Sequence, residues 1–439
     1  MLLKSVFISV FAISVLFPGT VYADLLQTVE AALNYHPSIK AAEAASEIAA
    51  QEKRETFSRY FPELSVSASA GRVYGDNATS RGTITTRGSG YSYTADGNIT
   101  ASQLLFDGFE TQNRYDASKA RVDSAIQNLL DTKENMALQG VGAYIAVLKA
   151  QKSLTLLNGY MPQLQGYQKK LKTMVDEGVA DLSELSQAQN IQLVLDDIVV
   201  GYEGDLEASL AQYIEVTGKA PEGKLKLPVP NLTLIPKTVS EAADMAVASH
   251  PSLQALEYDR EAALYDSKAA KGLLTPDFTG EFSYYQKDLK EELGGEVVDG
   301  KALVRMNWNF STGGAQLAQI KKAKYQTIEA QANADIQRQS IIRDVKISYS
   351  GMRVSAKREE LAKDRALTAR DILETTKKQF DGGKVKLLQL MQAENSYLNA
   401  KLTAENAKLD YLIAQYQILA TSGKLISSLY QNEGSMPKG

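Results

Sequence analysis

The sequence predicts a mixed α and β membrane protein made by duplication, each half holding a strand pair and a long helical hairpin. Three observations predict it. Matching segments recur in one order, short segments alternate apolar and polar residues, and the intervening helical stretches far exceed ordinary globular helices.

The duplication is read from spacing. The run HPSIKA from His36 returns as HPSLQA from His250, and Phe61-Pro62-Glu63-Leu64 as Thr275-Pro276-Asp277-Phe278, both 214 residues apart. Gly178-Val179-Ala180-Asp181-Leu182 returns as Gly383-Lys384-Val385-Lys386-Leu387, 205 residues apart, with Gln187-Ala188 and Gln392-Ala393 in the same register. Ordered matches with a nine-residue slip mark a duplication in which a loop between the second and third matches has shortened. The first structural repeat is placed at 24–230, the second at 231–430, and a C-terminal tail at 431–439.

Residues 1–23 have the layout of a secretory signal peptide. Lys4 precedes an apolar stretch from Val6 to Phe17, Pro18 and Gly19 end it, and Val21-Tyr22-Ala23 offers a cleavage site, so the mature chain is expected to begin at Asp24. The stretch is shorter than the about 20 residues a membrane-crossing helix needs. No later segment is long and apolar enough for such a helix, which leaves a soluble chain, a lipid-anchored chain or a β-barrel. The sequence holds no cysteine, which excludes lipidation at the cleavage site, thiol catalysis, thiolate metal sites and disulfides together.

Each repeat then reads the same way. A helical stretch from Asp24 to Tyr60 leads to a strand pair within 62–106 and a helical hairpin over 111–216. In the second repeat a helix over 240–273 leads to a strand pair within 277–310 and a hairpin over 314–422.

In the first pair, Leu64, Val66, Ala68 and Ala70 alternate with serines. Tyr91, Tyr93, Ala95, Gly97, Ile99 and Ala101 alternate with Ser92, Thr94, Asp96, Asn98, Thr100 and Ser102. In the second, Phe278, Phe282 and Tyr284 share a face, as do Ala302, Val304, Met306, Trp308 and Phe310. Period-two alternation is the strand signature, and with aromatic ends it suits strands that face lipid on one side and a wet lumen on the other. A soluble sandwich shows the same alternation. Four strands make a poor sandwich in 439 residues, and they cannot close a barrel, which needs eight or more. If they cross a membrane, several chains must share one barrel.

The stretches Thr111–Glu177 and Gly314–Phe380 are each 67 residues, or ~100 Å of helix. Pro162 is the expected place for a kink. The shorter stretches add up in pairs to about the same length, which points to a four-stave, coiled-coil-like wall. Leu388, Met391, Asn395, Leu398, Leu402, Glu405, Leu409, Leu412, Tyr416 and Leu419 alternate by three and four as a packed seam requires. Val122, Ile126, Leu129, Lys133, Met136, Gly140, Ala143 and Val147 do the same with smaller residues.

With these segments in hand, essentially all of the mature chain resembles the TolC-like outer-membrane efflux proteins. The resemblance is carried by the paired HPSIKA and HPSLQA runs and the proline before each first strand. The strand-to-helix junctions Leu105-Phe106-Asp107-Gly108-Phe109 and Phe310-Ser311-Thr312-Gly313-Gly314 add to it, as do the Gly178 and Gly383 turns, each followed by a leucine four residues on. It implies a homotrimer in which four strands per chain contribute to a 12-stranded outer-membrane β-barrel and the duplicated hairpins form a periplasmic α-helical barrel. It also implies a periplasmic adaptor protein, an inner-membrane transporter, expected to be of ABC type, and contact with outer-membrane lipid.

By the same resemblance, Gly178, Val179, Ala180, Leu182, Gly383, Lys384, Val385 and Leu387 are expected to form the docking and gating edge. The glycines also serve helix reversal by themselves, because glycine tolerates positive φ. Some members of the family narrow the tunnel with an aspartate ring. The matching positions here are Gln389 and Gln392, with Glu184 and Asp181 the nearest acidic residues. A neutral ring lacks the attraction of carboxylates for cations.

No catalytic constellation is present. The two histidines, His36 and His250, precede prolines at equivalent repeat positions and mark helix boundaries. Neither metal-ligand spacing nor a phosphate-binding glycine pattern occurs, so no cofactor is expected. A net charge of −4 without a basic patch argues against nucleic acid. The expected function is an outer-membrane channel-tunnel for type I protein secretion, with multidrug efflux the alternative and a non-pore periplasmic coiled-coil scaffold a remote one. The scaffold would have one helical hairpin flanked by compact β domains, whereas this chain has strand pairs in both halves.

Overall fold

The computed structural model describes residues 24–75, 90–289 and 296–432. The expected signal peptide at 1–23, the Gly-rich loop between the first two strands and the end of the tail lie outside the described residues. In chain order the elements are α1 (Leu25–Tyr35), α2 (Pro37–Ser58), β1 (Glu63–Gly75), β2 (Gly90–Phe106), α3 (Glu110–Asp176) and α4 (Leu182–Thr217). Then follow α5 (Val239–Ser249), α6 (Pro251–Ala269), β3 (Asp277–Leu289), β4 (Val297–Asn307), α7 (Ala315–Asp381), α8 (Leu387–Thr421) and α9 (Leu425–Asn432). Short 3-10 turns precede α5 and β3. None of these helices is long and apolar enough to cross a membrane.

The described chain forms two compact units. One comprises Pro37–Lys133 and Ser240–Val345 and contains the sheet. Its four strands pair antiparallel in the order β1-β2-β3-β4, through registers such as Val66↔Ile99, Ile99↔Tyr284 and Phe282↔Ala302. Residues paired across strands share a face. These registers therefore gather the apolar sets of all four strands onto a single face, with Leu64, Val66, Ile99, Phe282, Val304 and Met306 all exposed. The opposite face is polar, tied by Arg305 to Glu281 at 2.9 Å and by Ser69 Oγ donating to Asp96 at 2.7 Å.

β4 ends at Asn307, earlier than the sequence reading, and Trp308 and Phe310 stack on each other beyond it with ring centroids 4.6 Å apart. The Trp308 indole N–H donates to the Leu274 carbonyl at 3.3 Å, which draws it out of the strand.

The other unit comprises the described part of Met1–His36, with Glu134–Val239 and Lys346–Gly439. Its core joins Leu25 and Val29 of α1 to Val141, Tyr144 and Leu148 of α3 and to Leu409 and Tyr416 of α8. Every apolar member of the expected α8 seam, from Leu388 to Leu419, is buried. The expected α3 seam is buried only from Met136 onward, and Ile126 is exposed. Glu134 accepts hydrogen bonds from the backbone N–H groups of Leu425 and Ile426, where a carboxylate meets the positive end of α9.

The helical stretches over 24–60 and 240–273 each divide at the histidine that the sequence marks as a helix boundary. α1 stops at Tyr35 and α5 at Ser249, and His36 and His250 take extended backbone with ψ of 132° and 122°. A residue before proline is driven out of the α region by the pyrrolidine ring. Pro162, in contrast, leaves α3 continuous as a helix.

Candidate functional site

The two hairpin turns lie in the second unit and are built alike. Gly178 ends α3 with φ +74° and Gly383 ends α7 with φ +68°. The N–H of Val179 reaches back to the Met174 carbonyl and that of Lys384 to the Gln379 carbonyl, both at 2.8 Å. A six-to-one bond around a left-handed residue is the Schellman stop, which favours glycine because it has no Cβ to clash.

Beneath the turns, Leu171 of α3, Ala188 of α4, Leu373 of α7 and Leu387, Leu388 and Met391 of α8 form one cluster. The expected edge residues divide accordingly. Val179 and Leu182 are each 69% exposed, Lys384 is exposed, Ala180 and Val385 are half-buried, and Leu387 is a core residue at 1%. Leu182 and Leu387 occupy equivalent repeat positions and still take opposite environments.

The four residues expected at the entrance do not stand as equals either. Gln389 turns back to accept a hydrogen bond from the Lys386 backbone N–H at 3.1 Å, capping the start of α8. Gln392 is exposed. Glu184 is buried and accepts a hydrogen bond from the Lys386 ammonium, while Asp181 is exposed 3.9 Å from the same group. The hydrogen bond that the Lys386 ammonium donates to Glu184, and the charge of that carboxylate, hold the ammonium above the usual lysine range, with Asp181 adding to them. The Glu184 charge is therefore compensated within the chain.

Lys386 is the residue the sequence reading missed. It stands in the second repeat where Asp181 stands in the first, each preceding a return helix. A cation there opposes the helix dipole, and a carboxylate at Glu184 answers it. Opposite charges at equivalent turn positions were the available signal.

Among the described residues no group of His, Asp and Glu could hold a metal ion. The site offers exposed apolar side chains on two glycine turns, joined by the Lys386 ammonium and the carboxylates of Glu184 and Asp181.

Comparison with known proteins agrees with the fold. The outer membrane efflux protein family matches residues 28–219 and 242–424. The chain is 25% identical over 365 residues to outer membrane efflux protein BepC of Brucella suis, covering 82% of this chain and 79% of that protein. It is 24% identical over 419 residues to alkaline protease secretion protein AprF of Pseudomonas aeruginosa, covering 91% and 84%. The structure resembles the Campylobacter jejuni CmeC outer membrane channel with a TM-score of 0.78 and 16% identity, over 93% of this chain and 89% of that one. Duplicated long-helix hairpins with four antiparallel strands are the fold of such channels, and the localisation is the outer membrane. The chain belongs to the outer membrane efflux protein family.

Proposed function

We propose that the chain is one protomer of a homotrimeric channel-tunnel serving type I protein secretion. In this reading a signal peptide at 1–23 is removed, and the repeats at 24–230 and 231–430 each give a strand pair and a hairpin. The sheet carries the argument. It has one exposed apolar face, one polar face and two unpaired edges, β1 and β4. An open edge is unsatisfied in lipid, so a membrane sheet must close on itself. Three copies joined edge to edge supply a 12-stranded barrel. The hairpins continue it as a helical tunnel into the periplasm, and the Gly178 and Gly383 turns meet the adaptor there. The inner-membrane partner, an ABC transporter, provides the energy.

Multidrug efflux is the second reading. Secretion is favoured by the neutral Gln389 and Gln392 and the compensated Glu184, which leave little carboxylate charge to gather small cations. The likeness to a protease secretion protein is matched by the likeness to an efflux protein, so the charge at the turns carries the choice. Deleting the gene and measuring exported protein beside drug susceptibility tests it. Secretion predicts that a protein disappears from the medium while susceptibility stays within about twofold. Unchanged export with strongly increased susceptibility would assign the channel to efflux.

A further inference from the structure

Away from the turns, the second unit holds an open groove of about 760 Å³. α3 lines it from Leu148 to Tyr160, a run of ~18 Å at 1.5 Å per residue. Leu206 of α4 and Lys401 and Glu405 of α8 face the same space, and the strap that follows α4 adds Lys224 and Leu225. The strap is fixed in place. Gly223 turns it with φ +77°, Leu225 is buried in the same core as Leu148, and the Tyr144 hydroxyl donates to the Lys226 carbonyl at 2.8 Å. A preformed apolar groove of this volume lies within the roughly 300–1,000 Å³ of small-molecule sites.

Its charge is unbalanced. Lys152, Lys224 and Lys401 line it, against the single carboxylate of Glu405. Lys152 stands 3.9 Å from Glu405 and answers that charge. Lys224 and Lys401 make no ion pair among the described residues. Lys401 is half-buried, its ammonium 5.3 Å over the Tyr160 ring, 5.8 Å over the Tyr397 ring and 3.5 Å from the Tyr160 hydroxyl. Two aromatic faces and one long hydrogen bond position this cation without neutralising it. A partly desolvated ammonium lacking a counterion gains from an anion more than an exposed one does.

We propose that the groove binds a single-chain carboxylate amphiphile, of the fatty-acid class, with its head on Lys401 and its chain running along Leu206 towards Leu148 and Leu225. The inference does not depend on what the channel carries. The three cations come from three different elements, α3, the strap and α8, so an acidic helix would find no row of them to match. One anionic head with an apolar body matches both the leucine wall and the uncompensated charge. A cationic amphiphile would find the same wall and meet repulsion at Lys401.

The test uses the full-length protein in nanodiscs of zwitterionic phospholipid, and dodecanoic acid carrying a diazirine at its chain end. Illumination and peptide mass spectrometry map the adducts. The proposal expects them around Leu148 and Leu225, suppressed about tenfold by excess laurate and unaffected by dodecyltrimethylammonium. Lys401→Met should lower labelling about tenfold, and Lys401→Arg should retain it, with trimer mass and circular dichroism matching wild type. Should Lys401→Met fail to fold, the competition on the wild-type protein decides. Adducts confined to the apolar face of the sheet, or equal suppression by the cationic amphiphile, would overturn the proposal. A groove that labels only after dissociation to monomer overturns it in favour of a second copy of this chain as the occupant.

Discussion

Gly108 and Gly178 both hold positive φ, yet they bear different loads. At the junction of β2 and α3, Gly108 has φ +67° and a Cβ there would overlap the Thr275 side chain, so Gly108→Ala adds steric overlap to backbone strain. A Cβ added at Gly178 would meet open space, so Gly178→Ala meets only the left-handed penalty of about 1–2 kcal/mol. Thermal unfolding of the two variants should rank Gly108→Ala as clearly the less stable.

His250 is a second residue with a measurable signature. Burial lowers its pKa below the ordinary 6.5, against the raising influence of Asp131 and Asp344. The folded state thus binds the proton less readily than the unfolded chain, and this contribution is intact above pH 6.5 and lost as pH falls below it. Replacing His250 with Asn should flatten the fall in melting temperature between pH 6.5 and 5, a slope of at most about 1.4 kcal/mol per pH unit. At this scale sequence reading found the turn glycines and the proline-preceding histidines, because backbone chemistry is local. It could not find the Lys386–Glu184 contact, which exists only because two turns distant in sequence lie side by side, nor separate exposed Leu182 from buried Leu387.

The helices and strands differ in how much of them was legible. The α8 seam was readable residue by residue, since three-four spacing fixes a face before any fold is known. Leu409, buried completely, should cost about 2–5 kcal/mol when replaced by alanine, read as a fall in melting temperature. The faces of the strands were equally readable, but their neighbours were not. That β2 pairs with β3 across the long separation from Thr94 to Leu289 follows from packing rather than pattern. The common apolar face makes a sharp prediction. Val304→Arg should cost about 2–4 kcal/mol at the bilayer midplane and reduce membrane insertion, while Ser67→Lys on the polar face should leave insertion unchanged.

For the whole molecule, the exposed sheet face and the open strand edges are surfaces that one chain leaves unfinished. Duplication, strand number and helix length were visible in the sequence; completion of the barrel belongs to the assembly. The central claim is that the assembled chain conducts. Single-channel recording of the purified trimer in a planar bilayer tests it most directly. The account predicts discrete, long-lived conductance steps with little block by multivalent cations, because the proposed entrance presents Gln389, Gln392 and a Glu184 already paired with Lys386. A protein that stays monomeric and leaves the bilayer silent would contradict the channel, and steps closed by micromolar trivalent cation would contradict the neutral entrance.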